Sequence, residues 1–366
     1  MFAFPRRRVA GVLVAVASAL SLTAIQAPAA AVAADVVGTT VVAPAATSSA
    51  TIRVASYNVK CANCKGGKSW YTRRGAVVRT ILGQNVDVIG IQEASQGWLK
   101  GKHGKIDLSQ FEDLVNRLGA PYALANTARN NCVNPDSPRN CVYADQGASQ
   151  GTKIIYNTST LTLVSQGSQA LSYISGADND RYVAWAIFQD KASGKRFFFA
   201  NTHLEPRKGA RYYELRQNQT REVLAVVSAR SQGLPSYVVG DFNSYKWSRV
   251  NDSRSRSVAR DNAPRRIMLD QGGFIDPLGN FDASMYTTQA AIVGNRIHTN
   301  FDSWNDYKRK AKHDDYVNGT YLDYIFTSPG IKVPEWETVV RINKKNKFIG
   351  TIPSDHNMVR ATTVIS

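Results

Sequence analysis

Apolar runs that stop abruptly at a polar or charged residue are the clearest pattern in this chain. A short apolar run predicts a buried β-strand. A strand that ends in Asn, Glu, His or Asp brings that side chain to the edge of a sheet, where ligands and catalytic groups collect. There are four such runs: Val54-Ala55-Ser56-Tyr57-Asn58, Val88-Ile89-Gly90-Ile91-Gln92-Glu93, Phe198-Phe199-Ala200-Asn201-Thr202-His203 and Val238-Val239-Gly240-Asp241-Phe242-Asn243. With Ser354-Asp355-His356 near the C-terminus, they predict a single site.

Residue type and period predict the remaining elements. Runs rich in β-branched and aromatic residues predict strands over 153–156, 182–188, 321–326 and 358–365. Apolar residues at helical spacing predict helices over 70–82, 109–118 and 211–229, and Ser109 with Glu112 forms the capping-box pattern at the start of the second. Long polar stretches predict loops over 126–151, 244–273 and 279–300. This mixture predicts two packed sheets covered by helices.

The N-terminus has the order of a secretory signal peptide. Arg6, Arg7 and Arg8 precede an apolar stretch, which leads into small residues up to Ala34. We therefore expect cleavage after residue 34 and export from the cell, by the general or the twin-arginine route. A membrane anchor is the weaker alternative, because no stop-transfer charges follow the stretch. Residues 35–50, rich in Ala, Thr, Val and Pro, predict a flexible linker before a catalytic domain at 51–366.

The chain is strongly basic, with 45 Lys and Arg against 28 Asp and Glu and a formal net charge of +17. The signal segment contributes three arginines and no acid, so the remainder still carries +14. Such an excess favours nucleic acid or an anionic membrane surface as a partner, although solubility alone would also explain it. The basic residues concentrate in three segments: Arg249, Arg254, Arg256, Arg260, Arg265 and Arg266; Lys308, Arg309, Lys310 and Lys312; and Arg341, Lys344, Lys345 and Lys347.

Four cysteines in a chain with an export signal predict disulfides. A pairing of Cys132 with Cys141 would leave Cys61 and Cys64 as a second, local bridge. A zinc site built from the two pairs is the alternative, although the spacing of the second pair is loose. Redox catalysis by the first pair is less favoured, since no clear thiol-activating helix follows it.

The five segments, in this order, resemble the endonuclease/exonuclease/phosphatase superfamily, whose members include deoxyribonuclease I, abasic-site endonucleases and neutral sphingomyelinases. The resemblance extends over nearly everything from Thr51 to Ser366. It implies a four-layer α/β/β/α sandwich of two packed mixed sheets flanked by helices. It also implies a divalent-metal-dependent phosphoric diester hydrolase.

Such hydrolysis needs a cation for the phosphoryl oxygens, a base for the water and donors for the developing charge. Glu93 is the first candidate ligand, because an ionised carboxylate after a buried strand is costly without a cation or an arginine partner. Asn58 offers a carbonyl to the same ion, and the resemblance implies that Asp355 lies near the metal and its water. Hard oxygen ligands select Mg²⁺, with Mn²⁺ or Ca²⁺ as alternatives.

Two further segments supply candidate catalytic groups. Within Gly240-Asp241-Phe242-Asn243, Asp241 can orient the attacking water and Asn243 can donate its amide to a phosphoryl oxygen. The resemblance implies that His356 is the general base and that Asp323 fixes its tautomer, as a carboxylate on the second ring nitrogen does.

His203 is the residue that distinguishes branches of the superfamily. A histidine here resembles deoxyribonuclease I and the sphingomyelinases, in which it assists the leaving group or stabilises the phosphorane. Arg207, four residues later, is a candidate clamp for a phosphate, with an exposed salt bridge as an equal alternative. The histidines at 103, 298 and 313 are expected to be structural.

The sequence favours a secreted nuclease with nucleic acid as its substrate, acting as a monomer. Besides the basic segments, Tyr245, Trp247, Trp304 and Tyr307 could contact bases, or could form the core of an insertion. The alternatives are a sphingomyelinase or phospholipase C type of enzyme, and a phosphomonoesterase. The lipid enzymes insert an apolar hairpin tip, and here the nearest apolar pair, Trp98-Leu99, is followed by lysines. A catalytically dead binding module would have lost one of the candidate groups, and none is missing.

Overall fold

The computed structural model describes residues 49–62, 64–101, 103–125, 151–177, 180–245, 263–279, 291–313 and 322–366. These residues belong to one compact unit that spans 46–366. The predicted signal peptide, most of the linker and the Cys132–Cys141 pair lie outside the described residues, and so does the arginine-rich part of 249–260. Among the described helices, none is both long and apolar enough to cross a membrane.

Fourteen strands and four helices make up the described part of the chain. The strands are β1 Ala50–Asn58, β2 Val88–Ala94, β3 Trp98–Gly101, β4 Gly104–Ser109, β5 Tyr122–Leu124, β6 Gly151–Asn157, β7 Leu161–Ala170, β8 Tyr182–Asp190, β9 Arg196–His203, β10 Ser236–Asp241, β11 Val293–Ile297, β12 Asp323–Thr327, β13 Lys332–Val339 and β14 Met358–Ile365. The helices are α1 Trp70–Leu82, α2 Gln110–Leu118, α3 Ala210–Arg230 and α4 Ala263–Asp270.

The strands form two large mixed sheets and one hairpin. The first sheet has the order β11-β13-β14-β1-β2-β6-β5, and the second has the order β12-β10-β9-β8-β7. The first contains two parallel pairs, β11 with β13 and β1 with β2, and the second contains one, β9 with β10. Strands β3 and β4 pair only with each other. The α/β class with mixed sheets and flanking helices is therefore confirmed.

A large apolar core joins the two sheets. It contains side chains from both, including Val54 and Val88 of the first and Phe198 and Val238 of the second. Helices α3 and α4 add to this core. A separate cluster packs α1 and α2 against the first sheet. Buried strands of this kind read as nearly continuous apolar runs, which is why the sequence pattern located them.

Most predicted elements are confirmed, and two predicted loops are partly wrong. Helix α1 has the predicted bounds, and at α2 the Glu112 carboxylate accepts the Ser109 backbone N–H at 2.8 Å, as the capping box requires. However, the predicted loop 244–273 contains α4, and the predicted loop 279–300 contains β11. The arginines of α4 interrupt its apolar pattern, so the sequence did not indicate a helix. Strand β11 lies at the edge of the sheet and is little buried, so its sequence shows no alternation of apolar and polar residues.

A buried polar link connects the sheets beneath the candidate site. Gln92 donates its amide to Asn201 Oδ1 at 2.7 Å, and Asn201 donates to the carbonyls of Ile91 and Lys153. Gly90 allows this approach, because a Cβ there would lie 2.7 Å from the Asn201 side chain. The link fixes β2 against β9, the strands that carry Glu93 and His203 at their C-terminal ends.

Candidate active site

The predicted strand ends converge at one place. In the second sheet, Asp241 at the end of β10 is the register partner of both His203 on β9 and Asp323 on β12. In the first sheet, Asn58 at the end of β1 pairs with Gln92, the residue before Glu93. The sheets meet at these ends, because Asn58 donates to Asp241 across the gap at 2.9 Å.

Glu93 is held in place by its backbone and by two donors. It lies where the pairing of β2 with β6 shifts register, and its φ of 57° is in the left-handed region. Asn58 Nδ2 donates to Glu93 Oε1 at 3.0 Å, and the Cys61 backbone N–H donates to Oε2 at 3.0 Å. The amide nitrogen of Asn58 therefore bridges two carboxylates, while its Oδ1 accepts the Lys60 backbone N–H. The expected role of its carbonyl as a metal ligand stays a prediction.

A tight turn after β10 positions Asp241 and Asn243. Gly240 has a φ of 153°, and a Cβ there would lie 2.1 Å from the Thr202 carbonyl oxygen, so only glycine fits. Asp241 Oδ1 accepts the Asn243 backbone N–H at 2.9 Å. Burial, followed by the nearby charge of Asp323, raises the pKa of Asp241 to about 7. Asn243 Nδ2 faces His203 Nε2 at 3.0 Å and the Leu204 carbonyl at 3.0 Å.

His356 and Asp323 form the pair that the resemblance implied. Their Nδ1 and Oδ2 atoms lie 2.8 Å apart, and both side chains are buried. His356 Nε2 lies 3.7 Å from Asp241 Oδ2. Burial lowers the pKa of His356, but the carboxylates of Asp323 and Asp241 outweigh it and raise the pKa to about 10. Without further positive charge nearby, the imidazole is therefore protonated at neutral pH.

His203 lies on the other side of Asp241 and behaves differently. Its Nε2 is 3.5 Å from Asp241 Oδ2. Burial, and then the charge of Arg181, lower the pKa of His203 well below its ordinary value. The contact with Asp241 is therefore not an ion pair at neutral pH. Asp241 thus lies between the protonated imidazole of His356 and the neutral imidazole of His203. A difference in pKa between two neighbouring groups is what allows one to act as an acid and the other as a base.

Asp355 completes the cluster through a lysine that the sequence analysis did not single out. Lys60 Nζ lies 2.9 Å from Asp355 Oδ2. Burial lowers the pKa of Lys60, and the charges of Glu93 and Asp355 outweigh it. Burial raises the pKa of Asp355, but the charges of His356 and Lys60 bring it below the usual value. In the sequence, the position of Lys60 two residues after Asn58 was the feature that could have marked it as a site residue.

Most of these side chains line an open cleft of about 400 Å³. Its walls include Lys60, Cys64, Glu93, His203, Asp241, Asn243, Asp355 and His356. Arg207 is not brought into the cluster. Its side chain is 41% exposed and lies 3.9 Å from Glu205 Oε1, whereas Pro206 and Lys208 line the cleft.

A second unpredicted residue, Arg73 of α1, holds the loop that follows β1. Its guanidinium donates to the carbonyls of Val59 and Lys60, and to that of Pro353 at 3.2 Å. The side chain is almost fully buried. No sequence pattern separates this arginine from its partly buried neighbour Arg74, because only the tertiary fold brings the three carbonyls together.

The donor set fits a divalent cation. Glu93 and Asp355 are both buried carboxylates on the cleft wall, and each needs compensating positive charge. Carboxylate and amide oxygens are hard ligands, which suit Mg²⁺, Mn²⁺ or Ca²⁺.

Comparison with known proteins agrees with this arrangement. Residues 55–356 match the Endonuclease/Exonuclease/phosphatase family, and the matched span runs from β1 to His356. The chain belongs to this family. It is accordingly an α/β hydrolase of a phosphodiesterase and phosphatase superfamily whose members are generally dependent on divalent metals.

Individual proteins that resemble this chain share 30% sequence identity or less with it. The chain is 30% identical to Nocturnin of Drosophila melanogaster over 176 residues, which is 48% of this chain and 24% of that protein. It thus spans about a quarter of the length of this curated relative. Two solved structures from Bacteroides thetaiotaomicron share the fold. One is a family protein with a TM-score of 0.62 and 19% identity, covering 87% of this chain and 96% of that one. The other is a mannosyl-6-phosphatase with a TM-score of 0.59 and 20% identity, covering 86% and 100%.

Proposed function

We propose that this protein is a divalent-metal-dependent nuclease that hydrolyses phosphodiester bonds of nucleic acid. The observation that carries the proposal is a basic surface that begins at the wall of the cleft. The hydrolytic part rests on the cluster of Asn58, Glu93, Asp241, Asp355 and His356, and the choice of substrate rests on the charge around it.

The residues of the cluster have the following roles in this proposal. Glu93 and Asp355 would hold the cation, and Asn58 would contribute its side-chain carbonyl. When bound, the cation supplies positive charge to the phosphoryl oxygens and offsets the carboxylate charge that keeps His356 protonated. His356, oriented by Asp323, then takes the proton of a water that Asp241 positions. Further polar contacts to the phosphoryl and leaving oxygens come from Asn243 and His203.

Two of the basic segments found in the sequence lie side by side. A bridge pairs Lys310 with Lys347, and Arg309 donates to the Phe348 carbonyl at 2.9 Å. We call their exposed cations the basic ridge: Lys308, Arg309, Lys310, Arg341, Lys344, Lys345 and Lys347. Arg265 is a correction, since it is buried and paired with Asp276 rather than exposed on this surface. Clustered exposed lysines and arginines are the usual footprint for phosphate backbones.

The segment that carries Lys308, Arg309 and Lys310 of the ridge reaches the cleft through Lys312 and Trp304. Lys312 Nζ lies 3.8 Å from the centroid of the Trp304 ring, and the Trp304 backbone bridges to His356. Trp304 and Tyr245 both line the cleft, where an aromatic face can stack on a base. Tyr307 instead packs against a small apolar cluster, so its role is structural. Trp247 lies outside the described residues.

The hairpin of β3 and β4 argues against the lipid enzymes. Leu99 is 2% exposed, so it faces inward and offers no apolar tip to a membrane. The exposed residues near the turn include Lys100 and His103. A polar, basic tip is suited to a polyanion surface rather than to insertion among acyl chains.

A parallel assay tests the substrate. The purified protein would be given plasmid DNA, RNA, sphingomyelin liposomes and a sugar phosphate, each with Mg²⁺ or with a chelator. We expect Mg²⁺-dependent cleavage of nucleic acid alone. Release of phosphocholine, or of inorganic phosphate from the sugar, with nucleic acid intact would replace the nuclease with a lipid phosphodiesterase or a phosphomonoesterase.

We also propose that the protein is exported as a monomer after removal of residues 1–34, with 35–50 as a linker. The support is the order of charged, apolar and small residues at the N-terminus. N-terminal sequencing of protein recovered from the culture medium tests the cleavage site, and sedimentation of the same material tests the oligomeric state. An N-terminus at Met1, or a sedimenting dimer, would contradict the corresponding part.

A further inference from the structure

The Cys61–Cys64 disulfide lies directly against the candidate metal-binding carboxylate. The structure joins these two cysteines, which removes them from the zinc alternative considered for the sequence. Both sulfurs and one Glu93 oxygen lie within 4.8 Å of one another. Cys64 Sγ is 3.9 Å from Glu93 Oε2, the same oxygen that accepts the Cys61 backbone N–H.

The bridge belongs to a short loop that supplies several groups to the cleft. This loop follows β1 and contains Lys60 as well as both cysteines. Ala62 N donates to Ser95 Oγ at 2.9 Å and to Gln110 Oε1 at 2.7 Å, which anchors the first half of the loop. In the second half, the Cys64 N–H donates to the Cys61 carbonyl at 3.3 Å, and Gly67 lies against the Tyr307 ring. The disulfide is the covalent restraint that holds Cys64 beside Glu93.

We propose that the Cys61–Cys64 disulfide is a positioning element for Glu93, and that its redox state sets the affinity of the site for a divalent cation. This inference rests on the proposed function, in which Glu93 is a metal ligand. Groups that orient a metal ligand from outside the coordination shell typically change metal affinity by about 10- to 100-fold when they are removed. The bond closes a loop of only a few residues, so its contribution to global stability lies at the low end of the range for disulfides.

The bridge is open to a reductant from one side. Cys64 lines the cleft, whereas Cys61 is 2% exposed. A thiolate of an external dithiol would attack Cys64 Sγ, forming a mixed disulfide and releasing the Cys61 thiolate, which takes up a proton. The second thiol of the reagent then displaces the Cys64 thiol. Two electrons pass from the dithiol, which becomes a cyclic disulfide, to the protein, which gains two thiols.

The test measures Mn²⁺ binding by electron paramagnetic resonance, which does not depend on activity. In a Cys132→Ala/Cys141→Ala background, so that only one bridge can respond, reduction by dithiothreitol should weaken Mn²⁺ binding by about tenfold or more. Reoxidation should restore it. Cys61→Ala/Cys64→Ala should bind as weakly as the reduced protein, without any thiol that could itself capture the ion.

A second comparison separates positioning from general loosening. In Glu93→Gln, Mn²⁺ binding should be weak and should no longer respond to reduction, while the melting temperature should respond as in the parent protein. Equal Mn²⁺ affinity in the oxidised and reduced parent, within twofold and with the fold intact, would overturn the inference alone. A parent that binds no Mn²⁺ and needs no metal for hydrolysis would overturn the proposed function as well.

Discussion

His356 Nδ1 lies 2.8 Å from Asp323 Oδ2, and neither side chain is more than slightly exposed. Burial alone would favour a neutral imidazole, yet the carboxylate charges raise the pKa of His356 to about 10. His356 is therefore protonated at neutral pH in the absence of a cation. Positive charge bound at Glu93 and Asp355 would oppose the carboxylates and release that proton, which couples cation binding to the state of the base.

Replacing Asp323 should lower the pKa of His356. We expect Asp323→Asn, measured by NMR titration with a chelator present, to bring the pKa down by at least about one unit, because one of the two main carboxylate charges is lost. Asp355→Asn should have a smaller effect, since its charge comes after those of Asp323 and Asp241. An unchanged His356 pKa in Asp323→Asn would show that the charge of Asp323 does not affect the protonation of His356.

The same pair should make stability depend on pH in a defined window. The folded pKa of about 10 lies above the ordinary value of 6.5, so the folded protein holds the proton more tightly. The resulting stabilisation is complete below pH 6.5 and is lost as the pH rises towards 10. We would measure the free energy of unfolding by denaturant, with a chelator present. The difference in this free energy between the wild type and Asp323→Asn should decrease by at least about 1.4 kcal/mol as the pH rises from 6.5 to 10. A difference in unfolding free energy that does not change with pH would contradict the conclusion that Asp323 raises the pKa of His356.

Removing the base should abolish turnover without unfolding the protein. We expect His356→Ala to lower kcat on nucleic acid by on the order of 100-fold or more while retaining its circular dichroism spectrum. His313→Ala is the matched control, because that imidazole is exposed and packs against Phe301. If His356→Ala keeps near-normal activity, the general base lies elsewhere, and the neutral His203 becomes the next candidate.

Much of this site follows from the sequence, and the rest depends on tertiary contacts. Buried strands that end in Asn58, Glu93, His203 and Asp241 can be recognised because a fully buried strand leaves an unbroken apolar run. The Lys60–Asp355 ion pair could not be predicted, since it joins positions 295 residues apart on either side of the cleft. The two alternatives for Arg207 could not be separated for a similar reason: a basic residue near a catalytic strand end gives no sign of where its side chain points.

Charge removal at Glu93 should weaken the response to metal. Glu93→Gln keeps the shape of the side chain and an acceptor for the Cys61 N–H, but it removes a negative charge from the cleft. We expect the Mg²⁺ concentration for half-maximal activity to rise by at least about tenfold. Asp306→Asn, on an exposed carboxylate that pairs only loosely with Lys308 at 3.4 Å, is the control and should leave it unchanged. An unaltered Mg²⁺ response in Glu93→Gln would exclude this residue as a ligand.

The basic ridge should determine how binding to nucleic acid responds to salt. Replacing Lys344, Lys345 and Lys347 by Ser should weaken binding and flatten the plot of log affinity against log salt by about 0.7–0.9 for each lost phosphate contact. The control replaces Lys191, Arg196 and Lys332, which are exposed near the ends of β8, β9 and β13 that lie far from the site. Equal effects of the two triple variants would mean that net charge, not the ridge, governs binding.

A buried ion pair with Asp276 removes Arg265 from the basic surface. Arg265 Nε lies 2.8 Å from Asp276 Oδ2, and the two side chains are 2% and 3% exposed. Arg265→Met removes the cationic partner of the buried Asp276 carboxylate, a kind of loss that typically costs about 3–5 kcal/mol. The exposed pair of Lys308 and Asp306 offers the contrast, and Lys308→Ala should change the free energy of unfolding by no more than about 0.5 kcal/mol. Denaturant unfolding of both variants measures the difference. A small loss in Arg265→Met would mean that water reaches Asp276 and that α4 is less firmly attached than its burial indicates.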